Sequence, residues 1–231
     1  MTRSSTARKR PVQDRSKDTV RRILDAATTI LKERGYDGTS TNRIAAAAGI
    51  SPGSLYQYFP NKDAILHTVV EEYAQDLLNR TASRLSELLQ ADLGVLVAAA
   101  IDAQVDTMLE RPEILRMVCG QLPGRTTSEL LKPLEELMTA TIKGYTIAQQ
   151  APAVDMDLDA ATWIVVGLLG TTVRYVVDEP PIAKDVFVAE MTRLVLSHPL
   201  AWCCATSAAA TQSMPTWGPG LPGSSTASGL A

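Results

Sequence analysis

Residues 40–62 contain two helical segments too short to stand alone, and that requirement constrains the rest of the chain. Ser40 offers a hydroxyl at the start of a helix carrying Ile44, Ala45 and Ala48, and Gly49-Ile50 supplies a turn. Ser51 caps the next helix, with Pro52 at its first position, where a missing N–H costs nothing. Pro60 ends that helix, and Asn61 caps another beginning near Lys62. Isolated helices below ~12 residues are marginal in water, so neighbouring elements must hold these two. The preceding stretch supplies such a neighbour. Val20, Ile23, Leu24, Ala27, Ile30 and Leu31 recur at helical spacing from Asp18 onward, and Gly35 provides a stop. Leu55 and Phe59 lie four apart and can anchor the short helix to Ile23, Leu24 and Ile44. The opposite side then presents Pro52, Gly53, Ser54, Tyr56, Gln57 and Tyr58. A long helix followed by two short ones joined at a tight Gly turn is a helix-turn-helix unit.

The remainder reads as helix as well. Candidate helices run from Lys62 to the end of the 80s, over 93–109, from Pro112, over about 128–148, over 157–177 and over 183–197. Glycine and proline stand between several of them. No stretch alternates β-branched and polar residues between turn signals, so the expected fold class is all-α. Residues 1–16 are polar and basic (Arg3, Arg8, Lys9, Arg10, Arg15) and are expected to form a flexible arm. The tail 199–231 has no charged side chain, four Pro and four Gly; it is expected to be disordered, because it cannot bury enough surface to offset ordering entropy. The expected units are the arm 1–16, a DNA-binding domain 17–66, a second helical domain 67–198, and the tail.

Charge separates the two domains. Residues 1–67 hold 12 Lys+Arg against 6 Asp+Glu, whereas residues 68–231 hold 10 against 19. A basic first quarter on an acidic body points to a local polyanion-binding surface; on charge alone a basic tail without a partner would look the same. The three cysteines, Cys119, Cys203 and Cys204, make no disulfide framework. The chain opens on basic residues with no apolar stretch after them, and the apolar run from Trp163 to Val177 is short for a membrane span and contains Arg174. These features predict a cytoplasmic protein without a membrane partner.

The stretch "ILDAATTILKERGYDGTSTNRIAAAAGISPGSLYQYFPNKDAIL", residues 23–66, resembles the DNA-binding region of the TetR family of bacterial regulators. The matching features are Gly35-Tyr36, Ile44-Ala45, Ala48-Gly49, Ser51, Leu55-Tyr56, Tyr58-Phe59-Pro60 and Lys62. The resemblance and the side-chain chemistry together assign roles on double-stranded DNA. Ser40 and Thr41 open a helix, where hydroxyls and backbone N–H groups can hold a phosphate. Tyr56, Tyr58, Lys62 and Arg43 offer further phosphate donors beside Ser51. Base reading falls to Pro52, Gly53, Ser54 and Gln57, since Gln can pair with adenine and Pro can contact a thymine methyl. Many relatives carry a charged or longer side chain in place of Pro52 and a His in place of Tyr58. Tyr56 packed against the next helix and Gln57 merely solvated are the bland alternatives.

Beyond residue 67 the helix 158–177 is apolar nearly all round, so it must be covered on two sides. One cover is its own domain. A second subunit supplies the other, and Gly167 and Gly170 would let its backbone approach; a buried monomer core is the alternative. The resemblance implies a homodimer built from the last two helices of each chain, with Val166, Gly167, Gly170, Val173, Phe187, Met191 and Leu194 as interface candidates. It also implies a small-molecule effector in the second domain. Met108, Leu115, Met117, Met138, Tyr145 and Trp163 are the candidate pocket residues, with Arg174 as a polar anchor or an interface ion-pair partner. Met at helical spacing equally suits a core.

The two histidines, His67 and His198, lie far apart and outside any ligand-spaced cluster, so no metal is expected. No nucleophile motif or phosphate-cradling Gly loop occurs, and no catalytic residue or cofactor is expected. The expected function is a homodimeric transcriptional regulator, a repressor released from a pseudo-palindromic operator by a small-molecule effector. An adaptor of the same fold, recruiting a protein partner from DNA, is the alternative.

Overall fold

The computed structural model describes residues 10–88, 91–148 and 157–198. Among the described residues every regular element is a helix. The basic N-terminal stretch is helical from Arg10, so residues 10–16 of the expected arm belong to a helix: α1 covers Arg10–Gly38. Its axis breaks at Gly35, where φ is 66° and ψ is −177°, a conformation open to glycine because no Cβ meets the backbone. Residues 1–9 and the tail from 199 onward lie outside the described residues, as do the vicinal cysteines.

α2 (Thr41–Ala47) and α3 (Pro52–Tyr56) follow. Ser40 and Ser51 cap them, accepting from the backbone N–H of Arg43 and Ser54 at 3.4 and 3.1 Å. The turn between them is a Schellman motif. Gly49 has φ +67°, its N–H donates to Ala46 O at 3.2 Å, and the Ile50 N–H donates to Ala45 O at 3.0 Å. α3 is shorter than the spacing of Leu55 and Phe59 suggested: it ends at Tyr56, and Gln57 is its C-cap. The Tyr58 and Phe59 N–H groups both donate to Leu55 O, so the chain turns back before Pro60.

α4 (Lys62–Glu87) opens on Asn61, whose side chain accepts from the Ala64 N–H at 2.8 Å. It is 26 residues long and carries the chain from the first domain into the second. α5 (Leu93–Glu110), α6 (Pro112–Gly120) and α7 (Thr127–Ala148) come next. The expected helix 157–177 is divided into α8 (Leu158–Gly167) and α9 (Leu169–Asp178), and α10 spans Lys184–Ser197. At the division the Leu168 N–H donates to Val165 O and the Thr171 N–H to Leu168 O, a tighter turn beside Gly167 and Gly170. Taken together, Leu158–Asp178 is the one stretch among the described residues long and apolar enough to cross a membrane, longer than the sequence reading allowed. Val166, Leu169, Val173 and Val176 nevertheless pack into the protein core, and Arg174 lies in the same stretch.

One apolar cluster runs without interruption through both domains. Ile23, Leu31, Ile44, Leu55 and Ile65 join Met108, Ile114, Leu115 and Met117, then Val166 and Val176. Ion pairs brace α4 against the corner between α5 and α6: Asp76 on α4 meets Arg111 at 2.5 Å and Arg80 at 3.1 Å, and Arg80 also reaches Glu110 at 2.7 Å. Arg111 lies 5.1 Å from the Tyr73 ring centre, and burial drives the Tyr73 phenol well above its usual pKa. Smaller clusters join α5 to α10 through Ile101, Val105, Phe187, Val188 and Met191, and α4 to α5 through Leu85, Leu96 and Ala100.

Candidate nucleic-acid interface and effector cleft

Leu55 is completely buried, and the residues around it on α3 turn outward. Pro52, Gly53, Tyr56 and Gln57 are exposed, Tyr56 at 54%. The Tyr56 and Thr41 hydroxyls are 3.1 Å apart, so α2 and α3 present two linked O–H groups on one surface. Arg43 is exposed, and its guanidinium donates to Gly38 O at 2.5 Å. These features fit contact with an anionic backbone flanking a base-reading edge.

Three expected site residues sit deeper than the sequence suggested. Ser54 is half-buried and its hydroxyl pairs with that of Ser51 at 2.9 Å. Tyr58 packs partly against the core; it follows the fully buried Leu55 by three residues, a spacing that brings it toward the same side. Lys62 is half-buried. Its ammonium donates to Tyr36 O at 3.1 Å and lies 3.7 Å from the Tyr36 ring centre. The Tyr36 hydroxyl donates to Asp63 at 2.9 Å, and burial followed by the Asp63 carboxylate raises the Tyr36 pKa. Lys62 thus fastens the start of α4 to the end of α1. Phe59, expected in the core, is half-buried at its edge.

The second domain holds an apolar cleft walled by α4, α5, α7 and α10. Leu85, Leu93, Val97, Ala100, Met138, Ile142, Tyr145 and Val195 line it. A second cleft shares Val97, Ala100, Met138, Ile142 and Val195 and continues to Gln104, Val165 and Leu168. Of the expected pocket residues, Met138 and Tyr145 line this space. Met108, Leu115 and Met117 do not: all three are sealed in the core between α5, α6 and the first domain. Trp163 is 79% exposed, and Arg174 points to solvent, paired with Asp178 at 3.2 Å.

The apolar face expected for a second subunit is also redistributed. Val166, Val173, Phe187 and Met191 are buried within their own chain. Leu194 is 51% exposed, Gly167 is exposed and Gly170 half-buried, with open space where a Cβ would sit on either glycine. Trp163, Ile164 and Val186 are exposed large apolar residues on α8 and α10.

Family profiles cover both domains. One described as "Bacterial regulatory proteins, tetR family" matches residues 23–69, and one described as "Tetracyclin repressor-like, C-terminal domain" matches residues 92–198. The chain belongs to the TetR family. Members of this family are bacterial regulatory proteins. Similar curated proteins include transcriptional regulators. The HTH-type transcriptional repressor KstR2 of Rhodococcus jostii is 34% identical over 97 residues, 40% of this chain and 48% of that protein. The fatty acid metabolism regulator protein of Bacillus subtilis is 34% identical over 65 residues, 28% of this chain and 34% of that protein. This chain therefore matches about half or less of the length of these two relatives. The fold extends further than the sequence likeness. The regulator FadR of Bacillus subtilis, solved in complex with stearoyl-CoA, superposes with a TM-score of 0.60 at 20% identity, covering 77% of this chain and 98% of that one.

Within this TetR-family chain, the expected interface residues did not include Ile164 or Val186, which the sequence placed only within broad apolar bands, and Gln104 was not singled out. A helix apolar all round gives no periodic signal for its outer face, which hid Ile164. Gln104 had a signal: it falls in the α5 stripe that includes Val97, Ala100, Ile101, Val105 and Met108, where an apolar residue is expected.

Proposed function

We propose that the protein is a homodimeric, sequence-specific repressor that leaves a pseudo-palindromic operator when a small molecule occupies the α4–α5–α7–α10 cleft. The observation that carries this reading is the placement of Leu55. Fully buried, it holds α3 so that Pro52, Gly53 and Gln57 face outward to base edges. Tyr56, Thr41, Ser40, Ser51 and Arg43 hold flanking phosphates. Trp163, Ile164, Val186 and Leu194 form the apolar part of the subunit contact, with Gly167 admitting the partner backbone. Two readers on a two-fold axis then address half-sites roughly 34–36 Å apart.

α4 supplies the connection between the two activities. Its 26 residues span roughly 39 Å at 1.5 Å per residue, and it carries both Lys62 in the reader and Leu85 in the cleft wall. An occupant that displaces the Leu85 end shifts the Lys62 end, and with it the separation of the readers. A hundredfold loss of operator affinity requires a coupling of about 2.7 kcal/mol. Selection of bound fragments from random DNA tests the reading. It should return an inverted repeat with half-sites one helical turn apart; unrelated fragments, or a single unrepeated half-site, would defeat it.

A further inference from the structure

We propose that the effector is an uncharged molecule with an elongated apolar body and one hydrogen-bond donor, which Gln104 Oε1 receives. This rests on the effector reading above and specifies its chemistry. The two clefts share wall residues on α5, α7 and α10, so they form one trough that reaches Gln104 at its inner end. Gln104 is fully buried. Its amide nitrogen donates to Met138 Sδ at 4.0 Å, whereas Oε1 has no partner. The amide orientation has a physical reason: a thioether sulfur carries no proton, so the N–H faces it and the carbonyl oxygen is turned away.

The two threonines along the trough are already satisfied. Thr141 and Thr172 donate to Leu137 O and Leu169 O in their own helices, at 2.8 and 2.6 Å. Tyr145, half-buried, lines only the outer cleft. At the inner end the unsatisfied acceptor is therefore Gln104 Oε1. A buried carbonyl without a donor is costly, and a ligand that brings an O–H or N–H to it gains selectivity over one that does not. Among the described residues no Asp, Glu, Lys, Arg or His lines either cleft. A carboxylate or phosphate pushed inside would lose water without meeting a countercharge. The buried portion of the ligand is consequently neutral, and its body matches the aliphatic walls.

The test is isothermal titration of the full chain with three probes of matched length: 1-decanol, 1-methoxynonane and decanoate. 1-Decanol should bind at least ~10-fold more tightly than the ether, the factor a satisfied buried acceptor provides, and decanoate should bind more weakly than 1-decanol. The near-isosteric Gln104→Met should erase the preference for the alcohol while retaining the ether. If that variant does not fold, the three-probe comparison on the native chain still decides. Equal binding of alcohol and ether, tightest binding of decanoate, or a preference that survives Gln104→Met would each overturn the assignment of Gln104 while leaving an apolar effector site in place. Absence of binding by all three probes would overturn the effector reading of the trough itself.

Discussion

Trp163→Ala is the sharpest test of how two chains meet. The indole is 79% exposed in the single chain. A tryptophan covers roughly 200 Å² when enclosed, so about 160 Å² is available to a partner. At ~25 cal/mol per Å² this corresponds to about 4 kcal/mol per subunit, and the two-fold axis doubles it. Ordering and imperfect complementarity absorb part of that gain, so we take half, about 4 kcal/mol per dimer. The expected effect is a rise of ~10³-fold in the dimer dissociation constant. Sedimentation velocity across a concentration series reads it directly. Because the side chain contributes little to its own subunit, far-UV circular dichroism and the fold of the separated chain should not change. Operator affinity should fall with dimerisation, since the second reader is no longer tethered. A dissociation constant within threefold of the native value would refute the placement of Trp163 in the subunit contact.

Two other substitutions separate folding from reading in the first domain. Leu55→Ala removes a fully buried side chain and should lower stability by roughly 2–5 kcal/mol, measured by urea titration, with loss of operator binding. Tyr56→Phe removes one partner of the exposed 3.1 Å hydroxyl pair with Thr41. It should leave stability within about 0.5 kcal/mol yet weaken operator binding several-fold at fixed salt, by fluorescence anisotropy; unchanged affinity would remove Tyr56 from the interface.

The first domain was legible because its boundaries are set by local chemistry. Ser40, Ser51 and Asn61 each accept a hydrogen bond from a backbone N–H two or three residues into their helices, and Gly49 takes the positive φ that the turn requires. Such signals act within a few residues and need no knowledge of distant partners. Even here Tyr58 and Lys62 were placed too far outward. Tyr58 follows Leu55 by three residues and packs on its side, and Lys62 depends on Tyr36, 26 positions earlier. In the second domain the helices were found with similar accuracy, apart from the division at Leu168, but their orientation was not.

Periodicity and capping in the sequence therefore determined an all-helical chain with a short helix pair clamped over Leu55. Only the tertiary structure decided which apolar residues became core and which became surface. Val166 and Trp163 lie three residues apart on the same helix, one 7% and the other 79% exposed. Their hydrophobicity is comparable, so composition cannot rank them. Burial is a property of what packs opposite, and for α8 the opposing side chains come from elements distant in sequence.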